Sequence, residues 1–76
     1  MTLKDLEKLF LEAKEKGLDV AIEVTVVGQE DTELIINRNA SIDNKLAYYK
    51  EMYNEDLTHK NDKNVKIIGI SIMEYF

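Results

Sequence analysis

Hydrophobic periodicity changes sharply at Gly17. Before it, Leu3, Leu6, Leu9, Phe10 and Ala13 recur at the spacing of one helical face. After it, Val20, Ile22, Val24 and Val26 alternate with Ala21, Glu23, Thr25 and Val27, the period of a strand rich in β-branched residues. Each segment has an apolar side to hide, and a chain of 76 residues offers room for one small core. A helix laid on a sheet is the economical solution.

The rest of the chain extends this pattern. Thr2 and Asp5 resemble a capping box, Lys14 and Lys16 suit the last turn, and Gly17 suits a left-handed stop, so the first helix is predicted over 3–16. The first strand covers 19–27. Gly28-Gln29-Glu30-Asp31 is turn-like, and 32–37 forms a second strand, with Leu34 and Ile36 on one face and Ile35 on the other. Ser41 is a candidate N-cap for a helix over 42–54, whose stripe is Ile42, Leu46, Tyr49 and Tyr53. Polar residues dominate 54–64, which reads as a loop. A last strand covers 65–75, with Ile68, Ile70 and Ile72 facing one way and Val65, Ile67, Gly69, Ser71 and Met73 the other.

The predicted fold is therefore α+β, a single domain of order α-β-β-α-β. Its three-stranded, mainly antiparallel sheet has the order 2-1-3, and both helices lie on one face. That face carries Val20, Ile22, Val24, Val26, Leu34, Ile36, Ile68, Ile70 and Ile72. The other face then presents Ala21, Thr25, Val27, Ile35, Ile67 and Met73 around Glu23, Ser71 and Gly69. Such a face is either half-polar and solvated or an interface, since large contiguous apolar patches are uncommon on monomers. With Tyr48, which falls off the second helix's apolar stripe, Val27, Ile35, Ile67 and Met73 are the candidate interface residues.

Several chemistries lack their residues. The chain has no cysteine and one histidine, His59, which removes thiolate metal sites, cysteine nucleophiles and disulfides and leaves a metal site unsupported. Gly17, Gly28 and Gly69 make no phosphate loop, no serine stands in a nucleophile elbow, and no spacing singles out a catalytic carboxylate pair. No catalytic residue, metal or cofactor is expected, and the chain reads as a non-enzyme. Fifteen acidic residues against ten basic ones, a net charge of −5, disfavour direct nucleic-acid binding. No apolar run is long enough to span a bilayer, and Met1-Thr2-Leu3-Lys4-Asp5 lacks the apolar core of a signal peptide. The cytoplasm is the expected compartment.

One stretch resembles a known group. Glu33-Leu34-Ile35-Ile36-Asn37-Arg38-Asn39-Ala40, Lys45-Leu46-Ala47-Tyr48-Tyr49-Lys50, Tyr53-Asn54-Glu55-Asp56-Leu57-Thr58 and Val65-Lys66-Ile67-Ile68-Gly69 follow in order. They resemble a family of small uncharacterised proteins encoded by phages and prophages of Gram-positive bacteria, over about half the chain. That family often carries proline where this chain has Arg38, which bears on the loop before the second helix. The resemblance implies an accessory protein working in the host cytoplasm and transfers no catalytic motif.

The expected function is binding: a protein module, with a host bacterial protein as partner and a homodimer as its form. The alternative is a protein that sequesters a nucleotide or signal molecule, using Arg38, Ser41, Tyr48 and Tyr49 at the start of the second helix.

Overall fold

The computed structural model describes residues 1–74, in the order α1 (Leu3–Lys16), β1 (Asp19–Val26), β2 (Glu33–Asn37), a 3-10 turn (Asn39–Ser41), α2 (Ile42–Met52), β3 (Thr58–His59) and β4 (Asp62–Met73). Tyr75, assigned above to the end of the last strand, lies outside the described residues.

The first helix forms for the reasons its sequence suggests. The Thr2 backbone N–H donates to the Asp5 carboxylate at 2.8 Å, and the Asp5 N–H donates to Thr2 Oγ1 at 3.4 Å. At the other end Gly17 takes φ 71°, which costs a glycine little. Its inward residues, Leu6, Phe10 and Ala13, are fully buried. α2 begins at Ile42 and ends at Met52, earlier than the expected 54, because the chain turns extended at Tyr53 (φ −118°, ψ 147°). Ser41 occupies the N-cap position, yet its side chain makes no capping hydrogen bond.

The two helices run antiparallel, with Lys14 beside Asp43 (2.9 Å) and Lys50 beside Glu7 (3.2 Å). These pairs are exposed and fix alignment more than stability. The core is filled between helices and sheet by Leu6, Phe10, Val20, Ile22, Ile42, Tyr49, Tyr53, Leu57 and Ile67.

The sheet departs from expectation in strand number. Among the described residues it has four strands in the order β2-β1-β4-β3, all paired antiparallel, where three strands in the order 2-1-3 were expected. The additional strand is the two-residue β3, which folds back onto a β4 that starts at Asp62 rather than 65. Residues 54–64 were too polar to announce it. Leu57, the one aliphatic residue there, is the anchor: it is buried, and its carbonyl accepts the Ile67 N–H at 3.0 Å.

Two face assignments also change. Directly opposed residues of antiparallel strands share a face. Ile35 opposes Ile22 and Asn37 opposes Val20, so these, rather than Leu34 and Ile36, look toward the helices. In β4 a bulge interrupts the register: Val24 opposes Ile67 while Glu23 opposes Gly69, leaving Ile68 without a β1 partner. The bulge puts Ile67, 1% exposed, on the same side as Ile70 and Ile72. Ile68 drops out of the core stripe and is exposed.

Candidate functional site

The outer face of the sheet is the candidate site, and its composition follows from that register. β2 contributes Leu34 and Ile36, β1 contributes Ala21 and Glu23, and β4 contributes Gly69, Ser71 and Met73. Leu34 is 66% exposed, an unusual position for leucine within a strand. Among the described residues no helix covers this side, because α1 and α2 pack on the other.

Glu23 is the charge at the middle of this face. Its Oε2 accepts the Thr32 hydroxyl at 2.8 Å. Gly69 stands directly across from it, and a Cβ there would meet Glu23 Oε1 at 3.3 Å. The absent side chain leaves a shallow depression of about 300 Å³ bounded by Ala21, Glu23, Leu34, Gly69, Ile70 and Ser71. A carboxylate already holding a donor costs less to cover than a bare one.

The five residues proposed from sequence as an interface do not form one patch. Met73 opposes Asp19 at the end of the outer face. Val27, 72% exposed, lies just past β1, where its N–H donates to the Asn64 carbonyl at 2.9 Å. Tyr48 is exposed on α2, in the helical layer, its ring edge-on to Tyr49 at 5.2 Å. Ile35 sits on the helix-facing side at the sheet margin, and Ile67 is in the core. Leu34, Ile36 and Ile68 take the places assigned to Ile35 and Ile67. The adjacent Ile35-Ile36 pair allowed either phase, and nothing in the sequence marked the bulge.

The residues of the ligand-binding alternative are likewise dispersed. Arg38 reaches Asp19 at 3.3 Å. Tyr49 is buried, its ring edge-on to Phe10 at 5.6 Å and its hydroxyl donating to Asn37 Oδ1 at 3.1 Å. Burial pushes its phenol up from the ordinary value. Tyr48 is exposed, and Ser41 lines a depression with Lys14, Asn39 and Asp43 that none of the other three enters.

A polar knot behind Arg38 was not foreseen. The Asn39 N–H donates to Asp19 Oδ1 at 2.7 Å, while its side-chain amide donates to the carbonyls of Leu18 (2.9 Å) and Ala13 (3.2 Å). Asn39 thereby caps the end of α1 from the far side of the β-hairpin and fixes where α2 begins. His59 is half-buried in β3, its ring against Tyr53 at 4.9 Å and its Nδ1 accepting the Asn61 N–H at 3.0 Å. Among the described residues no group of three or more His, Cys, Asp or Glu is placed to hold a metal ion, and no helix is long and apolar enough to cross a membrane. Compared with protein-family models, with curated proteins and with solved structures, the chain matches none of them.

Proposed function

We propose that this chain is a small non-enzymatic protein-binding module, a phage or prophage accessory protein that modulates or inhibits a host factor in the bacterial cytoplasm. The observation that carries the reading is the uncovered outer sheet face, where Leu34, Ile36 and Ile68 stand around a Glu23 already hydrogen-bonded to Thr32, with Met73 at the far end. The depression beside Gly69 accepts one apolar side chain of a partner, the knob-and-pocket arrangement that concentrates energy in protein interfaces.

Among the described residues, displaced pKa values fall on four groups. Tyr49 and Tyr53 are in the core, Asp56 is held low by the Thr58 hydroxyl in an exposed turn, and Lys16 is held high by Glu12 at the exposed end of α1.

The test is a native mass spectrum of the protein purified gently from a Gram-positive lysate. Wild type is expected to carry a bacterial polypeptide, and Ile68→Lys to lose it while keeping its circular dichroism. A bare chain in both preparations, or retention by the variant, removes this face from consideration.

A further inference from the structure

Strand edges are pairing templates, and proteins usually guard them with lysine, proline, a bulge or extreme shortness. β2 borders the sheet and has none of these guards: Glu33-Leu34-Ile35-Ile36-Asn37 runs in unbroken register with β1, its one charge at its first residue. Leu34 is exposed on one face of it and Ile35, 37% exposed, on the other, so room exists on both sides. Among the described residues, no backbone–backbone hydrogen bond from Glu33, Leu34, Ile35 or Ile36 leads anywhere but into the β1 pairing. At the other margin β3 is two residues long, and the uncovered part of β4 begins at the bulge.

We infer that β2 pairs antiparallel with β2 of a second copy about a two-fold axis through Ile35, so that two four-stranded sheets become one. In that register Ile35 opposes Ile35, Leu34 opposes Ile36, and Glu33 opposes Asn37. Two apolar pairs lie on the outer face, and no like charges are directly opposed. The ends of the strand select this direction. Glu30, Asp31 and Glu33 mark one end, and Arg38, with a side chain 73% exposed, marks the other. Antiparallel pairing sets each acidic end beside the second copy's arginine, whereas parallel pairing sets acid against acid. A two-fold pairing uses both β2 edges, so this contact closes at two copies. The inference rests on the reading that the chain works through protein contacts. It assigns the edge to a second copy and leaves the outer face to a host partner.

The chain has no cysteine, so Ile35→Cys introduces its only thiol. Opposed Cβ atoms in an antiparallel pair lie about 4.5–5.5 Å apart, close to the span of a disulfide. Mild oxidation is expected to link Ile35→Cys into a covalent dimer and to leave Ile68→Cys unlinked. In sedimentation equilibrium, wild type is expected to be dimeric, and Ile35→Lys to raise the dissociation constant by roughly tenfold or more. Mixing Ile35→Lys with Ile35→Glu is expected to restore the dimer, which a merely misfolded variant would not do. A wild type that is monomeric at about 100 µM overturns the inference. So does a dimer that Ile35→Lys leaves intact and Ser71→Lys dissolves, since that assembly uses β4 or the outer face. Either result leaves the capture of a host polypeptide, and its loss in Ile68→Lys, to decide the broader reading separately.

Discussion

Asn37 is fully buried, and it decides which side of β2 is inside. Its Oδ1 accepts the Tyr49 hydroxyl at 3.1 Å, and its Nδ2 donates to the Val20 carbonyl at 3.3 Å. Sequence alternation alone favoured the more apolar phase, Leu34 and Ile36, over Ile35 and Asn37. The structure takes the less apolar phase because a phenol on α2 and a strand carbonyl satisfy the amide, and a satisfied buried amide carries little penalty. That partnership spans separate elements, so no local pattern reveals it. Tyr49→Phe removes the donor and leaves Asn37 Oδ1 buried without it. Urea unfolding should then show a loss of about 1–3 kcal/mol with an unchanged m value. A variant as stable as wild type would mean that the hydrogen bond does not hold the register.

At the scale of elements, α1 was legible because cap, periodicity and turn residues agreed locally, and the β1–β2 hairpin was legible as a hairpin but not in which face of β2 turns inward. β3 and the β4 bulge were not. Their determinants are one leucine in a polar stretch and a shift of register that only pairing reveals. Leu57 combines two opposed terms. Its backbone is left-handed, at φ 69°, which costs a side-chain-bearing residue about 1–2 kcal/mol. Its side chain is 1% exposed, and truncating a buried leucine to alanine costs about 2–5 kcal/mol. Burial wins, which explains why the position is not glycine. Leu57→Gly relieves the backbone and empties the site, with an expected net loss of up to about 4 kcal/mol by denaturant titration. A gain in stability would show that the turn, rather than the packing beneath it, limits this end of the sheet.

Across the whole molecule, the aromatic core sets the response to alkali. Burial, with smaller contributions from the neighbouring phenols of Tyr48 and Tyr49, pushes Tyr53 up to about 12, and burial also raises Tyr49. A raised folded value means that the native state holds the proton more tightly than the unfolded chain. The associated stability is fully present below the ordinary tyrosine value of about 10 and is lost as pH rises through about 12. Circular dichroism followed upward in pH should show cooperative unfolding in that window, and Tyr53→Phe should move the midpoint to higher pH. An unmoved midpoint would assign alkaline unfolding to other groups. The sheet also imposes an order of events. β1 meets β2 across a short turn, but it meets β4 only after the chain has closed a loop from Val26 to Val65 at one end and from Asp19 to Met73 at the other, with α2 inside it. Closing that loop costs entropy before any contact repays it. The hairpin therefore forms early and waits, with one flank of its central strand bare, and the arrival of β4 is the step that both completes the core and ends the interval of greatest exposure to mispairing.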